Sequence, residues 1–238
     1  MIEPPCLQQD WGYAVRIVSM LLSSAFGGDG ITKKVGVGGV RVLIVRHGES
    51  EANRENRIVS YRGDPGLTDL GRQEAQHVAQ MWSKAPIEAI YTSALRRTQQ
   101  TAVAFVRPGV KIQLDERLHE IGLGRWDGQV IADIERAEAD RYRRWKEDPE
   151  IGAPEGGELL SQVAGRMHEF LDDVRRWHPQ GLVVAVSHSD CMKAVMLSVL
   201  AAPWQSAQWV HLSNTAGIVL EWRNTHWQLM TQPAMPPG

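Results

Sequence analysis

The sequence predicts an α/β fold of three layers (α/β/α), with helices on both faces of a central, mainly parallel β-sheet. Short β-rich runs alternate with stretches of helical period between residues 41 and 230, which is the order typical of this class. Two runs, "VLIV" at 42–45 and "LVVAV" at 182–186, are apolar at every position, as in central strands that are buried on both faces. A chain of 238 residues with 43% hydrophobic content can bury the core that this fold needs.

Local signals define the individual elements. Clusters of β-branched and other apolar residues predict five strands, at 41–45, 88–93, 110–115, 181–186 and 216–222. A helix is predicted from Leu70 to Trp82 because apolar residues recur there with helical spacing, and Thr68 is suited to cap its N-terminus. The turn "PEGGE" at 154–158 precedes another helix, whose apolar face contains Val163, Met167 and Phe170.

The two ends of the chain differ from this central domain at 41–230. Residues 1–40 are expected to form a poorly ordered extension that ends in a Gly-rich linker, and residues 231–238 a flexible tail. A short peripheral helix from the apolar run 13–26 is the alternative. Because Arg16 interrupts that run and no basic region precedes it, we predict neither a membrane span nor a targeting segment.

Charge and cysteine content limit the partners of the protein. A formal net charge of −2 and a pI near 6.5 provide no general attraction for nucleic acid or an anionic membrane, so any anion preference must come from a local site. The chain has two cysteines, Cys6 and Cys191, and no Asn-x-Ser/Thr site, which fits the cytoplasm. We expect a monomer or homodimer that acts on a small molecule.

Charged and polar residues follow four of the predicted strands. Arg46 and His47 come after the first strand, Arg97 lies just beyond the second, Glu120 follows the third, and His188 follows the fourth. A single histidine or arginine at such a position is more often structural. Ligands of open parallel sheets bind beyond the carboxyl ends of the strands, so the repetition at four ends favours a site. Two arginines and two histidines there indicate an anionic ligand.

Other chemistries do not fit these residues. "SHSD" at 187–190 contains Ser, His and Asp, but neighbours at one strand end cannot form a catalytic triad, and no G-x-S-x-G motif is present. "HEIGL" at 119–123 lacks the second histidine of a zinc-protease motif. "GVGGV" at 36–40 precedes its strand and no G-K-[ST] follows, so a nucleotide-binding loop is not indicated. We expect no metal and no cofactor, and a phosphate group as the anion.

Six motifs follow one another along the chain: "LIVRHGESEAN" (43–53), "LTDLGRQEA" (67–75), "SALRRTQQTA" (93–102), "LHEIGLGRWDG" (118–128), "PEGGE" (154–158) and "VSHSD" (186–190). They resemble the signature of the histidine phosphatase superfamily, which includes cofactor-dependent phosphoglycerate mutase and broad phosphomonoesterases. The resemblance implies a phosphoglycerate mutase-like fold. It also implies metal-independent hydrolysis of phosphomonoesters.

The resemblance assigns a role to each of the strand-end residues. His47 is expected to be the nucleophile that forms a phosphohistidine, and Glu120 the proton donor. Arg46, Arg97 and His188 are expected to surround the phosphoryl oxygens. Nearby positive charge keeps His47 unprotonated and also lowers the pKa of Glu120, so Glu120 is expected to be a good acid only when phosphate is bound.

Further residues are expected to contact phosphate or substrate. Asn53, Ser60 and Ser189 belong to this group, and Gly48 allows a close backbone approach. Asp190 stands with Ser189 where the family usually has Gly-Gly. It is expected either to receive a cationic part of the substrate and repel an acidic one, or to cap a helix.

Three activities remain open. The stretch 121–150 mixes charges and resembles the compact form seen in phosphatases of the family, and "WDG" at 126–128 points the same way. Hydrolysis is therefore the main prediction. Phosphoryl transfer of the phosphoglycerate mutase type is one alternative. A module that binds phosphate or phosphoproteins without catalysis is another, although binding alone needs neither His47 nor Glu120.

Overall fold

The computed structural model describes residues 39–230. The predicted extension up to residue 38 and the tail at 231–238 lie outside the described residues. At the start of the described part, Val40 is 1% exposed and its carbonyl accepts a hydrogen bond from the backbone N–H of Trp222 at 3.0 Å. The domain core therefore includes the residue just before the first strand.

A six-stranded sheet forms the centre of the domain, in the order β3-β2-β4-β1-β5-β6. Its strands are β1 (Arg41–Arg46), β2 (Ile87–Thr92), β3 (Ile112–Leu114), β4 (Leu182–Ser187), β5 (Gly217–Arg223) and β6 (His226–Met230). The first four strands are parallel, whereas β5 runs antiparallel to β1 and β6 antiparallel to β5. The predicted mainly parallel sheet is confirmed.

Helices cover both faces of the sheet. The described α-helices are α1 (Glu51–Arg54), α2 (Asp69–Met81), α3 (Arg96–Val103), α4 (Ile131–Ala137), α5 (Ala139–Glu147), α6 (Leu160–Trp177) and α7 (Ser189–Val199). Helices α2 and α3 pack on one face, and α6 and α7 on the other, so the three-layer prediction is confirmed. Between residues 39 and 230, no helix is both long enough and apolar enough to cross a bilayer.

The central strands carry the core because their side chains alternate between the two layers. Val42 and Ile44 of β1 face the cluster that contains α6 and α7, while Leu43 and Val45 face α2 and α3. All four are at most 1% exposed. Burying one such side chain stabilises the fold by roughly 1.5–3 kcal/mol. The strand ends that carry the polar residues are therefore held by a rigid, dry centre.

The sequence analysis missed β6, which pairs with β5 through a two-residue turn at Asn224 and Thr225. Both turn residues have positive φ angles, 49° and 71°, as tight hairpins of right-handed twist require. Glycine is the usual signal for such a turn, and here it is absent. The predicted N-cap Thr68 is confirmed, since its hydroxyl accepts a hydrogen bond from the N–H of Gly71.

Candidate active site

The carboxyl ends of the parallel strands open into a cavity of about 270 Å³. Arg46 is the last residue of β1, and His47 follows it. Arg97 lies in the first turn of α3, and Glu120 in the loop after β3. These four residues line the cavity together. The structure thus brings together side chains that are up to 74 positions apart in sequence, from 46 to 120.

His47 is buried, at 3% exposure, and its ring has a defined hydrogen bond. Nδ1 lies 2.7 Å from the carbonyl oxygen of Gly48. A carbonyl only accepts, so Nδ1 carries the proton and Nε2 is the free, unprotonated nitrogen of a neutral ring. Burial, and then the positive charges of Arg97 and Arg46, hold the pKa of His47 well below its usual value. The ring is therefore available as a nucleophile across neutral pH.

Gly48 lets this segment lie directly against helix α2. A Cβ atom on Gly48 would meet the carbonyl oxygen of Gly71 at 2.3 Å, a distance that backbone atoms cannot tolerate. The close backbone approach that Gly48 allows is therefore an approach to α2. The N–H of Gly48 also donates to Oγ1 of Thr101, at 3.1 Å, which ties the residue after His47 to α3.

His188 is fully buried and does not line the cavity, and its ring centroid is 5.2 Å from that of His47. Nη2 of Arg97 donates to its Nδ1 at 3.3 Å, because a guanidinium group cannot accept. Nε2 then carries the proton and donates to Oγ of Ser93, at 3.0 Å. Burial and the charge of Arg97 hold the pKa of His188 well below its usual value. Both histidines are therefore neutral, each with a tautomer fixed by its neighbours.

Each of the two arginines that line the cavity has one donor without a partner. Arg97, 3% exposed, uses Nη2 on the carbonyls of Val59 and Ser60, both at 3.2 Å. Arg46 uses Nη1 on the carbonyl of Leu212 at 2.5 Å. Nη1 of Arg97 and Nε of Arg46 are buried and have no hydrogen-bond partner within the described part of the chain. Since buried donors are nearly always paired, these two atoms indicate a place for acceptor oxygens.

Glu120 is buried, and its pKa is raised to about 7. Burial is the largest cause and the negative charge of Asp190 the second, while the N–H of Ile121, which donates to Oε1 at 2.9 Å, and the two arginines lower the pKa. The arginines lower the pKa of Glu120 as expected, but burial and Asp190 outweigh them even without phosphate. The arginines are visible in the sequence, whereas the burial of Glu120 is seen only in the structure.

An ion pair behind Glu120 fixes its loop, and the sequence analysis did not identify it. Arg166 of α6 binds both carboxylate oxygens of Glu158, at 2.8 and 3.0 Å. The same guanidinium donates to the carbonyls of Arg117 (2.6 Å) and Glu120 (3.3 Å), and Glu158 accepts from the N–H of Gly122 (3.0 Å). The Arg166–Glu158 pair thus holds the backbone on both sides of the proton-donor candidate.

The remaining predicted binding residues occupy different positions. Asn53 lines the cavity, and its Oδ1 accepts from Ser50 and Asn214, which leaves the amide nitrogen as the donor for a ligand. Ser189 also lines the cavity, at the start of α7. The hydroxyl of Ser60 is fully buried and donates to the carbonyl of Ile121 at 2.5 Å, away from the cavity. Only the carbonyl of Ser60 reaches the site, as an acceptor for Arg97.

Two aspartates have roles that the sequence did not settle. The carboxylate of Asp127, in "WDG", accepts the N–H groups of Ser60 (2.7 Å), Tyr61 and Arg62 (both 3.0 Å), and so pins the loop that follows α1. Asp190 is not a helix cap, because His188 occupies the N-cap position of α7. Asp190 lines the cavity and pairs with Lys193 at 3.1 Å.

No group of three or more His, Cys, Asp or Glu side chains between residues 39 and 230 is arranged to hold a metal ion. The groups that line the cavity are instead hydrogen-bond donors, the nucleophile candidate His47 and two carboxyl groups, Glu120 and Asp190. Fold and cavity together define an α/β protein with an anion site at the strand ends, built around a neutral histidine and a protonatable carboxyl group.

Comparison with known proteins identifies the family. A family model described as the histidine phosphatase superfamily (branch 1) matches residues 42–233. The chain belongs to the histidine phosphatase superfamily, branch 1. The family, the fold class and the classification as a phosphatase of this family are thereby confirmed.

Several relatives are named as phosphatases. Phosphoserine phosphatase 1 of Hydrogenobacter thermophilus is 35% identical over 164 residues, which cover 68% of this chain and 76% of that protein. Glucosyl-3-phosphoglycerate phosphatase of Mycolicibacterium vanbaalenii is 31% identical over 219 residues, or 82% and 96% of the two chains. A solved mycobacterial glucosyl-3-phosphoglycerate phosphatase in complex with VO3 has a TM-score of 0.72 at 30% identity, covering 80% of this chain and 96% of that one.

Proposed function

We propose that this phosphatase hydrolyses a small phosphorylated metabolite through a phosphohistidine on His47, with Glu120 as proton donor. One observation carries the proposal: Arg46, Arg97 and His47 line one cavity, and each of the two arginines has a buried donor without a partner in the described part of the chain. An unpaired buried donor costs free energy, and a phosphoryl group supplies the acceptors that satisfy it. The nucleophile and the anion site coincide.

The first chemical step transfers the phosphoryl group to the protein. Nε2 of His47 attacks phosphorus as the bond between phosphorus and the ester oxygen breaks. The planar guanidinium groups of Arg46 and Arg97 stabilise the charge on the equatorial oxygens. Glu120, whose pKa is about 7, gives its proton to the departing alkoxide. The products are an alcohol, a phosphohistidine and a Glu120 carboxylate.

The second step regenerates the enzyme. The Glu120 carboxylate takes a proton from water, and the resulting hydroxide attacks phosphorus while the bond to Nε2 of His47 breaks. Inorganic phosphate leaves, and Glu120 is again protonated. A group with a pKa near neutrality is suited to both steps, because it can be acid and base at the same pH. No metal is needed, since fixed cations supply the charge.

Four residues complete the phosphate site in this proposal. The amide of Asn53 donates to an equatorial oxygen, and His188, whose two ring nitrogens bind Arg97 and Ser93, acts by holding Arg97 in place. Ser189 begins α7, and the unpaired N–H groups of a helix N-terminus favour an anion. Ser60 acts indirectly, because its carbonyl orients Arg97.

Hydrolysis is favoured over mutase-type transfer. The stretch 121–150 forms a short 3-10 turn (Gly124–Trp126) and the small helices α4 and α5, with Trp126 fully buried. This compact arrangement, with charges of both signs, lacks the basic insertion that we associate with retention of a bisphosphorylated intermediate. Water is therefore expected to accept the phosphoryl group.

The setting of the reaction follows from the whole chain. We place it in the cytoplasm, supported by the low cysteine content and the buried, free thiol of Cys191. All proposed catalytic groups come from one chain, so activity is expected from a monomer or a homodimer. Neither nucleic acid nor a membrane is expected as a partner. The substrates of the named relatives, phosphoserine and glucosyl-3-phosphoglycerate, are the first to test.

The decisive experiment measures hydrolysis of p-nitrophenyl phosphate with EDTA present and traps the intermediate. The wild-type protein is expected to turn over, and rapid denaturation during turnover with labelled substrate is expected to leave acid-labile, base-stable label on the peptide that contains His47. His47→Ala is expected to lower kcat/KM by about 10⁴-fold or more, as for loss of a nucleophile elsewhere. His77→Ala, at an exposed histidine, is the matched control and should retain activity.

Three results would overturn the proposal. Label on another residue would exclude His47 as the nucleophile. Inactive wild-type protein that still binds phosphate would support a non-catalytic module. Transfer of phosphate between positions of 3-phosphoglycerate without release of inorganic phosphate would support a mutase.

A further inference from the structure

A second cavity, of about 160 Å³, adjoins the first. Four side chains line both cavities, and we call them the outer cleft: Trp145, Lys146, Asp190 and Lys193. Trp145 and Lys146 come from α5, and Asp190 and Lys193 from α7. Because the first cavity also contains His47 and Glu120, a group attached to the bound phosphate extends directly into the outer cleft.

Among the ion pairs of residues 39–230, the pair Asp190–Lys193 is the one whose two side chains both line the first cavity. Its side chains are 22% and 18% exposed, whereas the pair Asp140–Arg143 at the same i,i+3 spacing is 79% and 65% exposed. Partly buried ion pairs cost desolvation free energy and contribute little net stability. Stability alone therefore does not account for opposite charges held at the wall of a cavity.

The two opposite charges are close enough together to receive both charges of a small zwitterion. Oδ1 of Asp190 and Nζ of Lys193 are 3.1 Å apart. In an α-amino acid, standard bond lengths set the ammonium nitrogen and the nearer carboxylate oxygen about 3 Å apart. Such a group can lie against the pair with each charge facing its opposite, the ammonium on Asp190 and the carboxylate on Lys193. Neither protein charge then has to give up its existing partner.

We propose that Asp190 and Lys193 form a subsite for a zwitterionic leaving group, the α-amino-acid end of an amino-acid O-phosphate. The assignment rests on the proposed function, since it places this group beside the scissile ester. Asp190 repels a leaving group that carries only negative charge, and Lys193 repels a leaving group that carries only positive charge. Lys146 and Arg57, which also line the cavity, add positive charge that favours a ligand with a carboxylate.

The test compares kcat/KM for four esters of similar size: L-phosphoserine, 3-phosphoglycerate, O-phosphoethanolamine and glycerol 1-phosphate. The second lacks the ammonium group, the third lacks the carboxylate and the fourth lacks both. The loss of one charged contact typically lowers kcat/KM by roughly tenfold or more. Wild-type protein is therefore expected to prefer L-phosphoserine over the second and third esters by at least that factor, and over the fourth by more.

Single substitutions separate the two contacts. Asp190→Asn is expected to reduce the preference for L-phosphoserine over 3-phosphoglycerate by roughly tenfold, because only the first has an ammonium group. Lys193→Gln is expected to reduce the preference over O-phosphoethanolamine by a similar factor. These ratios cancel any common effect on the chemical step. Asp140→Asn and Arg143→Gln, in the exposed pair, are the matched controls and should leave every ratio unchanged.

The outcomes distinguish this subsite from the proposed function. If the wild-type protein hydrolyses p-nitrophenyl phosphate but treats the four esters alike within about threefold, the subsite is refuted and the mechanism stands. Unchanged ratios in both Asp190→Asn and Lys193→Gln would also refute it. If p-nitrophenyl phosphate is not hydrolysed at all, the proposed function itself fails.

Discussion

The phosphate pocket, which consists of Arg46, His47, Arg97 and His188, differs in construction from the outer cleft beside it. Its four side chains are held by backbone carbonyls, by Ser93 or by each other, beyond the ends of β1 and β4 and in the first turn of α3. The outer cleft instead consists of more exposed side chains on the helices α5 and α7. In our two proposals, chemistry therefore depends on the pocket and selectivity on the cleft. Substitutions in the pocket should affect every substrate, and those in the cleft only some.

The largest effect is expected at Arg97, the centre of the phosphate pocket. Arg97→Ala should lower kcat/KM for every ester by about 10²–10³-fold, the usual cost of losing a preorganised donor to a charged transition state. Arg97→Lys should recover little, because one ammonium cannot serve two carbonyls, His188 and the ligand at once. Steady-state kinetics on the ester panel measure both.

Arg96→Ala is the control for this comparison, since Arg96 is the exposed neighbour of Arg97. It should retain near wild-type rates. Circular dichroism of each variant checks that the fold is intact. A fully active Arg97→Lys would show that charge alone, without the planar guanidinium geometry, is sufficient in the pocket.

The next largest effect is expected at Glu120 and should depend on the leaving group. With an alkyl phosphate, Glu120→Gln should slow the first turnover by about 10²–10³-fold because the alkoxide needs a proton. With p-nitrophenyl phosphate a rapid burst of one equivalent should survive, since nitrophenolate leaves unprotonated. Stopped-flow absorbance and quenched flow measure the two cases. Glu116→Gln, at an exposed site in the same segment, should behave as wild type; equal losses with both esters would contradict the acid role.

A smaller effect is expected at Ser93, a positioning residue that touches His188 but not the cavity. Ser93→Ala removes the acceptor of the Nε2 proton and should lower kcat/KM roughly tenfold. ¹⁵N NMR of the ring should show a changed tautomer, which a merely structural role would not produce, and Ser93→Thr should restore both. Ser198→Ala, at the serine that contacts His168 in the same way at 2.8 Å, should leave activity unchanged.

The smallest expected effect is a shift in the pH dependence of kcat/KM. It is caused by Asp190, which belongs to the outer cleft but acts on Glu120. Its negative charge raises the pKa of Glu120, so Asp190→Asn should lower that pKa. In wild-type protein, kcat/KM for an alkyl ester should fall as the pH rises through about 7, where Glu120 loses its proton. In the variant this fall should begin at lower pH, by less than about one unit. Comparing both proteins with one ester cancels the ionisation of the ester itself; a shift to higher pH would contradict the assignment.

The phosphate pocket was largely predictable from sequence. Arg46, His47 and His188 are adjacent to strands that are apolar throughout, so their position follows from the strand ends. The partners that fix their orientation were not predictable in the same way. Asn214 donates to the carbonyl of His47 from 167 positions away, and Ser93 reaches His188 across 95. Such contacts depend on tertiary packing, which cannot be inferred from a local sequence pattern.

The outer cleft could not be located from sequence. Helix α5 has no fully buried residue, so its polar pattern resembles that of any solvent-facing helix. Asp190 was noticed as a departure from the family, but its ion pair with Lys193 was not. The hydroxyl of Ser60 shows the opposite case, because a residue expected at the phosphate is buried against a backbone carbonyl instead.

The unpaired donors of Arg46 and Arg97 have a consequence for product inhibition. In the proposed mechanism, inorganic phosphate offers these donors the same acceptor oxygens as the phosphoryl group of substrate. The released product should therefore stabilise the protein against heat and compete with substrate through the same two atoms. An enzyme built this way works fastest where phosphate is scarce, and slows as phosphate accumulates.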